Sequence, residues 1–313
     1  MKVFIDGTLR GAVTRLIPFW KKMGVKIVDK LKFGDVQLAI VRISQRGLPK
    51  VPICLRLDGV YYDKDKSIDF ERRNSSIARS HKIADAVIYQ SNMAKAMAEK
   101  YLGKRNGKYD KIIYNGVEDG WNNPIKHKNV NIMCTNKWRR IKRLPEIISI
   151  FNEFRNYYPE AKLHVIGPFR KGAYEIKNTN VIYYGQQNHS EMRKIYRKGD
   201  FFLHLCKKDS CPSTVVEAIA SGMPVVTTNS CGGATEMCNM TGGCVVVDGE
   251  EENLEPDYIY GEEYNYLAKD IRNDIVLEMV KIIKEKRRVE LPVELTARFV
   301  AAQYKRVFKA VKR

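Results

Sequence analysis

Two carboxylates stand eight residues apart in a segment rich in small and hydroxylated residues. Asp209 lies in a loop with Ser210 and Ser213, and Glu217 follows within the apolar-periodic stretch PSTVVEAIASG (212–222). A loop that leads into a helix offers free backbone N–H groups and the positive end of the helix dipole, which suit a diphosphate. The carboxylates would accept hydrogen bonds from sugar hydroxyls. The segment therefore predicts a site for a sugar diphosphate.

A diphosphate that leaves with developing negative charge is best stabilised by positioned cations. The segment NKWRRIKRL (136–144), which follows an apolar run, supplies basic side chains. We expect these side chains to bind the diphosphate. A solvated basic turn is the alternative for this segment, and for Arg143 it is the favoured interpretation.

Short apolar runs bounded by polar, Gly or Pro residues alternate with helical patterns along the chain. The predicted strands are 3–7, 25–29, 36–43, 52–58, 84–91 and 111–116 in the first part, and 130–134, 162–167, 181–185, 200–205 and 224–228 in the second. Continuous apolar runs are typical of a parallel sheet covered on both faces. The pattern predicts two doubly wound α/β domains in tandem, with ligands at the carboxyl ends of the strands.

The segment from Asp200 to Glu236 resembles the donor-site signature of retaining GT-B glycosyltransferases, specifically glycosyltransferase family four (glycosyl transferases group 1). The family carries an acidic residue, seven intervening residues, Glu, then Ala-Met-Ala-x-Gly-x-Pro-Val-Val and a Gly-Gly turn. Here the signature reads Asp209, Glu217, AIASGMPVV and Gly232-Gly233. Further pieces follow in the family's order: YQS (89–91), YNGV (114–117), NKWRRIKRL (136–144), KLHVIG (162–167) and VIYYGQ (181–186). The resemblance implies the GT-B fold, two Rossmann-like domains facing a cleft.

The resemblance also implies roles for the carboxylates. Glu217 would hold the ribose hydroxyls of the nucleotide, and Asp209 would address the donor sugar. Asp209 is one methylene shorter than the family's usual Glu, which bears on the choice of sugar. Thr214 and Glu217 also have the spacing of a helix capping box, so a structural role for Glu217 stays open.

The family places an Arg and, five residues later, a Lys after the first strand of the donor domain, and Lys137 and Lys142 have that spacing here. Lys lacks the bidentate fork of Arg, so Arg139 or Arg140 is the alternative ligand of the diphosphate. The implied donor-binding residues are Lys137, Arg139, Lys142, Gly167, Ser210, Ser213, Thr214, Val215 and Glu217. The implied catalytic residues are Asp209, Glu217, Lys142 and Asp58.

In the first domain, Gly7, Arg10 and Gly11 form a small loop after the first strand, where the family's loop approaches the donor phosphates and the acceptor. An ordinary turn is the alternative. Asp58 occupies the place where many relatives have a His that faces the acceptor. A carboxylate there would orient or polarise an acceptor hydroxyl, and a turn-capping Asp is equally compatible with the sequence.

The expected organisation is an acceptor-side domain over 1–120, a nucleotide-sugar donor domain over 121–296, and a helix at about 297–313 that packs back on the first domain. The stretch 118–129 lacks an apolar period and carries Gly, Asn and Pro, so it is the predicted linker. The family implies retaining transfer, in which the departing phosphate oxygen takes the acceptor proton.

We expect no metal cofactor. Asp63-Lys64-Asp65 resembles the D-x-D metal motif of the other large glycosyltransferase fold, but it lies in a charged segment rather than at a strand end. His164 and His204 lie within apolar strands and are expected in the core. The seven cysteines include no C-x-x-C pair, which favours buried thiols in a reducing cytosol over a zinc site.

The formal net charge is +19, and residues 101–143 and 281–313 supply +8 each. Such a charge predicts attraction to something anionic. One diphosphate does not need a net charge of +19. An anionic or lipid-linked glycan acceptor, or an anionic membrane surface, is therefore expected. The helix predicted at about 292–313 is amphipathic and basic, which fits either a packed helix with a solvated outer face or adhesion to that surface.

Composition excludes several classes of protein. Apolar residues make up 44% of the chain and charged residues 29%, which supplies a core and argues against global disorder. No run approaches the roughly 20 apolar residues of a membrane span, and the first residues predict a strand rather than a signal peptide. We therefore expect a cytoplasmic protein, either free or peripheral at the inner face of a membrane.

Two other functions compete with sugar transfer from a UDP-, GDP- or ADP-linked donor. A nucleic-acid-binding protein on the same fold would use the positive charge and keep a vestigial sugar-nucleotide site. The sequence contains no helix-turn-helix, RNA-recognition or zinc pattern, so nucleic acid is the less favoured partner. A sugar-nucleotide epimerase or a phosphorylase would keep the fold and change the reaction.

Overall fold

A computed structural model describes residues 1–9, 11–44, 51–64, 69–170, 175–250, 253–256 and 267–312. The chain divides into two compact units. The first comprises Met1–Glu118, Leu254–Pro256 and Val293–Arg313, and the second comprises Asp119–Asn253 and Asp257–Pro292. The first change of unit along the chain therefore falls beside residue 120, where the sequence predicts a domain boundary.

The strands of the first unit are β1 (Lys2–Asp6), β2 (Lys26–Val28), β3 (Val36–Ile40), β4 (Ile53–Leu57), β5 (Ala86–Tyr89) and β6 (Lys111–Ile112). Its first helices are α1 (Gly11–Thr14), α2 (Ile17–Lys22), α3 (Phe70–Ile83) and α4 (Asn92–Leu102). All neighbouring strands are parallel, in the order β2-β1-β3-β4-β5-β6. The chain moves from β1 to β2 on one side and then to β3 on the other, so the topological switch lies between β1 and β3.

Helix α3 is not predicted by the sequence pattern, because its segment is strongly charged. Its start is fixed by Asp69, whose side chain accepts a hydrogen bond from the Arg72 N–H at 2.9 Å. Its inner face buries Ile77 against β4 and β5, in a cluster with Leu55 and Val87. A helix therefore forms here because of one cap and a narrow apolar face.

The strands of the second unit are β7 (Asn131–Thr135), β8 (Lys162–Ile166), β9 (Val181–Tyr183), β10 (Phe201–His204), β11 (Val225–Thr228) and β12 (Val245–Val247). Its helices are α5 (Leu144–Phe154), α6 (His189–Tyr196), α7 (Ser213–Ala220), α8 (Gly233–Asn239) and α9 (Lys269–Lys284). All neighbouring strands are parallel, in the order β12-β11-β10-β7-β8-β9. The topological switch of this unit therefore lies between β7 and β10.

The core of the second unit follows from the alternation of side chains along its strands. Ile132 and Cys134 of β7 belong to one buried cluster with Ile147 and Phe151 of α5 and Met279 of α9. The strands are apolar on both faces, as the continuous apolar runs predict, so the carboxyl edge of the sheet is where polar loops emerge.

The predicted linker begins the second unit as a packed segment. Trp121 is 1% exposed, and its ring centroid lies 5.6 Å from that of Tyr196. The Arg193 guanidinium lies 5.2 Å from the Trp121 ring. Residues 119–129 are irregular, as expected, but this tryptophan anchors them to α6.

The last helix, α10 (Ala297–Val311), starts five residues later than the sequence pattern predicts, at an N-cap formed by Thr296. Its apolar stripe is buried in the first unit. The Trp20 indole N–H donates to the Ala301 carbonyl at 3.1 Å, and the Trp20 ring lies 5.7 Å from Tyr304 and 5.6 Å from Phe308. The packed-helix interpretation is confirmed, so the apolar face of α10 is not available to a membrane. Within the described residues, no helix is long and apolar enough to span a bilayer.

Candidate functional site

The predicted donor-site residues of the second unit gather at its topological switch. Because β7 and β10 are parallel neighbours, the loops that follow Thr135 and His204 emerge at the same edge of the sheet. The first loop carries Lys142 and the second carries Asp209, and α7 begins at Ser213 directly after the second loop.

Lys142 and Asp209 form a salt bridge at this edge. The Lys142 Nζ lies 2.6 Å from the Asp209 Oδ2, and the two side chains are 9% and 18% exposed. Burial disfavours both charges, but the Asp209 carboxylate raises the pKa of Lys142, and the Lys142 ammonium lowers the pKa of Asp209. The site therefore holds a charged ammonium in a fixed position at neutral pH.

His204 and Cys206 adjoin this pair. His204 is fully buried, its Nε2 lies 3.8 Å from the Asp209 Oδ2, and neither ring nitrogen has a hydrogen-bond partner among the described residues. Burial lowers the pKa of His204 to about 4 and raises the pKa of Cys206 to about 12, so both are neutral at pH 7. The core position expected for His204 is confirmed, whereas its closeness to Asp209 was not predicted.

The residues able to ligate a metal in this region are His204, Cys206 and Asp209, whose ligand atoms lie within 4.8 Å of one another. The Lys142 ammonium bonds to the Asp209 carboxylate from the same region. A divalent ion at this place would meet that positive charge within a few ångström. These three side chains, as they are arranged here, therefore fit an ammonium better than a metal ion.

The Gly-Gly turn holds the Asp209 loop in place. The Gly233 N–H donates to the Asp209 carbonyl at 2.8 Å. A Cβ at Gly233 would lie 2.1 Å from the Ser210 carbonyl oxygen, so only glycine permits this approach. Gly232, the N-cap of α8, has a φ of +62°. This contact explains physically why a Gly pair follows the acidic loop.

Gly167 permits a similar close approach at the Lys142 loop. It has a φ of +111°, and a Cβ there would lie 1.9 Å from the Asn136 carbonyl oxygen. Asn136 begins the loop after β7, and its N–H donates to the Ile166 carbonyl at 3.1 Å. Gly167 therefore permits the close approach of the basic loop, and its predicted donor-binding role remains a prediction.

Glu217 lies on α7, the helix that follows the Asp209 loop, and 4% of the residue is exposed. The N-cap is Pro212, without a side-chain capping bond, and Thr214 is already the second helical residue. The capping-box interpretation of Thr214 and Glu217 is therefore wrong. Ser213 and Thr214 are half-buried at the helix start, whereas Val215 is fully buried and its N–H donates to the Pro212 carbonyl at 3.1 Å.

The remaining basic residues of the loop differ in position. Lys137 is exposed, and Trp138, which follows it, is fully buried with its indole N–H donating to the Ile166 carbonyl at 3.0 Å. Arg139 is half-buried and close enough to Lys142 to oppose the charge of that ammonium. Arg139 and Lys142 therefore lie together, while Lys137 projects from the same loop.

The expectation of a solvated turn at Arg143 is wrong. Arg143 is 1% exposed and forms a bidentate pair with Glu250, with its two terminal nitrogens 2.6 and 2.5 Å from the carboxylate oxygens. Glu250 also accepts from the Ser230 hydroxyl at 2.6 Å and lies 3.3 Å from the Lys207 Nζ. The partner lies 107 residues away in sequence, so no local pattern could have indicated this pair.

The sequence of the second unit identifies the chain. Residues 118–292, more than half of its length, match the model of the family described as "Glycosyl transferases group 1". The chain belongs to this family. The motifs that carry the resemblance in the sequence lie mainly within the matched range, and the finer assignment to family four remains a prediction. No curated protein matches the sequence.

Solved structures of low sequence identity share the fold of this family member. The pneumococcal O-GlcNAc transferase GtfA, in complex with UDP and GlcNAc, is 12% identical with a TM-score of 0.60, over 95% of this chain and 59% of that one. Sucrose-phosphate synthase from Thermosynechococcus elongatus is 10% identical with a TM-score of 0.67, over 100% and 95%. HepE from Anabaena, in complex with UDP and glucose, is 13% identical with a TM-score of 0.60, over 99% and 97%.

These likenesses show the fold, and the chain spans about three fifths of the length of GtfA. The predicted α/β architecture of two Rossmann-like domains is confirmed by the two parallel sheets and by these neighbours.

In the first unit, Asp58 follows β4 and is held by two neighbours. It forms a salt bridge with the buried Arg56, and its Oδ1 accepts from the Gln90 amide at 2.6 Å. Arg56 also donates to the Tyr304 hydroxyl at 3.0 Å and to the Asn115 Oδ1 at 2.9 Å. The carboxylate is thus oriented by a buried network, and its predicted role toward an acceptor remains a prediction.

The predicted glycine loop begins where β1 ends. Gly7 has a φ of +119°, and a Cβ there would lie 3.2 Å from the Ile40 Cβ. Gly11 starts α1 and its carbonyl accepts from the Arg15 N–H at 3.1 Å. Arg10 lies outside the described residues, as does Asp65 of the D-x-D sequence, whereas Asp63 is 3% exposed.

Proposed function

We propose that this chain is a retaining glycosyltransferase that moves a sugar from a nucleotide-diphospho-sugar to a glycan or lipid-linked acceptor. The observation that carries the proposal is the Lys142–Asp209 pair at the topological switch of the second unit, beside the start of α7. It joins a phosphate-binding cation to a sugar-binding carboxylate in a chain of the glycosyl transferases group 1 family.

Each donor contact is proposed for a chemical reason. Glu217 holds the ribose hydroxyls, because an ionised carboxylate accepts two hydrogen bonds from a vicinal diol. Lys142 and Arg139 stabilise the diphosphate, with Lys137 as an additional cation from the exposed part of the loop. The N–H groups at Ser213 and Thr214 supply neutral donors at the positive end of α7.

The proposed reaction retains the configuration of the sugar. The bond from the anomeric carbon to the phosphate oxygen breaks, and the acceptor oxygen bonds to that carbon on the same face. The departing phosphate oxygen takes the acceptor proton, so the chain need not supply a general base. Because Lys142 and Arg139 provide the positive charge that a leaving diphosphate needs, we propose that transfer requires no metal.

UDP is the first donor nucleotide to test, since two structures that share this fold, GtfA and HepE, were solved with UDP. GDP- and ADP-linked sugars are the alternatives.

The acceptor is proposed to be anionic, because the net charge of +19 exceeds what one diphosphate requires. We propose a cytoplasmic reaction, at an anionic membrane surface if the acceptor is lipid-linked, since the buried free thiols suit a reducing compartment.

The proposal is tested by nucleotide release from a panel of UDP-, GDP- and ADP-sugars, with water as the acceptor of the sugar and with EDTA or with Mg²⁺. We expect release from one nucleotide class, equal in both conditions, and its loss in Lys142→Met. Lys194→Met, an exposed lysine of the same unit, is the matched control. Absence of release from every donor, together with tight and salt-sensitive binding of nucleic acid, would favour the nucleic-acid-binding alternative.

A further inference from the structure

The first unit contains a cavity of about 990 Å³ at its own topological switch. Gly7, directly after β1, and Val41, directly after β3, form one side of it, and the first turns of α3 form another. Crevices outside the carboxyl ends of parallel strands at a switch point are the usual ligand sites of such sheets. The volume is that of a small-molecule site rather than of a single bound ion.

Three exposed arginines, Arg42, Arg72 and Arg73, are among the described residues that line this cavity. Asp69 is the carboxylate that lines it, and this carboxylate caps α3 through the Arg72 N–H at 2.9 Å. Within the described part of the chain, no ion pair joins any of the three arginines to an acidic side chain. The described residues that line the cavity therefore carry an excess of two positive charges.

One of these arginines, Arg73, is ordered by a ring contact before any ligand arrives. The Arg73 guanidinium lies 3.6 Å from the centre of the Tyr61 ring. Tyr61 is fixed in turn by Asn74, which accepts from the Tyr61 N–H at 2.9 Å and donates to its carbonyl at 2.7 Å. Arg72 is in the first turn of α3. An arginine ordered as Arg73 is loses less conformational entropy when an anion binds.

Arg42 follows a strained backbone position. The preceding Val41 has a φ of +69°, a left-handed conformation that a β-branched residue rarely adopts. The Val41 N–H donates to the Arg56 carbonyl at 2.8 Å, and beyond Arg42 the Ser44 N–H donates to the buried Asp6 at 2.9 Å. Strain of this kind persists where the surrounding structure imposes it, and such places are often ligand sites.

We propose that this cavity binds the phosphate group of a phosphorylated acceptor, a sugar phosphate or the phosphate of a lipid headgroup. The inference rests on the proposed function, which assigns the acceptor to the first unit. A phosphate monoester carries nearly two negative charges at pH 7, which match the two excess positive charges of the described lining residues. Planar guanidinium groups can bind a phosphate through two hydrogen bonds each. The hydroxyls of Ser75 and Ser76, which also line the cavity, supply further donors.

The test uses the whole chain and defined probes: inorganic phosphate, glucose 6-phosphate, glucose, and phosphatidylcholine vesicles with and without phosphatidic acid. Binding is compared among wild type, Arg42→Gln, Arg72→Gln and Arg73→Lys. Arg79→Gln is the matched control, because Arg79 is an exposed residue of the same helix that does not line the cavity. Melting curves verify that each variant is folded.

We expect at least one phosphate probe to bind, and each glutamine variant to weaken it tenfold or more, while Arg79→Gln binds like wild type. Arg73→Lys keeps the charge but loses the fork and the stacking on Tyr61, so it should show an intermediate loss. Preference for glucose 6-phosphate identifies a soluble source, and preference for phosphatidic acid vesicles identifies a lipid source. Both support a phosphate site.

The proposal is overturned if no phosphate probe binds, if glucose binds as well as glucose 6-phosphate, or if Arg79→Gln weakens binding as much as the cavity variants. Failure of the proposed function is read separately, from UDP, GDP and ADP titrations of wild type and Glu217→Gln. A chain that binds a nucleotide but no phosphate probe refutes only the cavity proposal. A chain that binds phosphate probes in this cavity but no nucleotide refutes the proposed function.

Discussion

The Lys142 ammonium lies 2.6 Å from the Asp209 carboxylate, although the two residues are 67 positions apart in the sequence. The pair connects the basic loop after β7 to the acidic loop after β10. In the absence of a donor, the carboxylate keeps a partly buried ammonium charged. Under the proposed function, a bound diphosphate would compete with Asp209 for the same ammonium and release the carboxylate toward the sugar hydroxyls.

Removal of the ammonium should therefore damage catalysis strongly. We expect Lys142→Met to lower kcat for nucleotide release by about 100-fold or more, the magnitude seen when a preorganised charge-stabilising donor is lost. The measurement is steady-state kinetics with the preferred donor, with Lys194→Met as control. A Lys142→Met enzyme with wild-type kcat would show that Lys142 supports structure only.

Gly233→Ala should disrupt the Asp209 loop, since the new Cβ would lie 2.1 Å from the Ser210 carbonyl oxygen. We expect a loss of about 1–3 kcal/mol in the free energy of unfolding and a large loss of nucleotide affinity. Gly242→Ala is the matched control, because a Cβ at Gly242 meets no atom within 4 Å. Urea unfolding and nucleotide titration measure the two effects. Equal unfolding free energies and equal nucleotide affinities of the two variants would contradict the close approach of Gly233 to Ser210.

The buried ion pair of Glu250 and Arg143 should make stability depend on pH. Burial opposes ionisation, but the Arg143 guanidinium lowers the pKa of Glu250 to about 2 from an ordinary 4.5. A lowered folded-state pKa stabilises the protein above pH 4.5, and this stabilisation is lost as pH falls from 4.5 toward 2.

Glu250→Gln should therefore lose about 3 kcal/mol of unfolding free energy at pH 7, and the difference from wild type should shrink below pH 4.5. Denaturant unfolding at several pH values measures this. A double-mutant cycle with Arg143→Met isolates the pair. A coupling energy near zero, or a difference that does not change with pH, would contradict the account.

His204 should add a second pH dependence with its own range. Burial lowers its pKa to about 4, whereas an unfolded histidine titrates near pH 6.5. Because the unfolded chain binds the proton more readily, stability is complete above pH 6.5 and falls as pH drops toward 4, by about 3 kcal/mol for this one group.

Substitution His204→Phe should flatten the stability profile between pH 6.5 and 4, and the exposed His189→Phe should leave it as in wild type. His164, whose pKa burial lowers to about 4 as well, contributes a similar slope that both variants retain. The profile is measured by urea unfolding at half-unit pH steps. Identical slopes in wild type and His204→Phe would contradict the assignment.

The strand positions follow from the sequence because buried parallel strands are continuous apolar runs. The run VQLAIVRI predicts β3, although the strand ends at Ile40, where Val41 turns into the left-handed region. Helix α9 was missed, yet the spacing of Ile271, Ile275 and Met279 carries a helical signal. Strand β12 has three residues and is too short for a periodicity argument.

The residues of the candidate site were predictable in part. Motif spacing indicates Asp209, Glu217 and Lys142, and the structure brings Lys142 and Asp209 together because the loops that follow parallel neighbours meet at one edge. The partners of these residues were not predictable, since the contacts of Arg143 with Glu250 and of Gly233 with Ser210 depend on tertiary packing. The cavity arginines on α3 were missed because a charged helix with one narrow apolar face resembles a solvated loop.

The central claim, a nucleotide-sugar site in the second unit, is tested most directly by calorimetric titration of UDP, GDP and ADP with EDTA present. Wild type is compared with Glu217→Gln and with Glu160→Gln, an exposed glutamate of the same unit. The account predicts that one nucleotide binds wild type and Glu160→Gln equally, and that Glu217→Gln binds it at least tenfold more weakly. Wild-type affinity in Glu217→Gln, or no binding of any nucleotide to wild type, would contradict it.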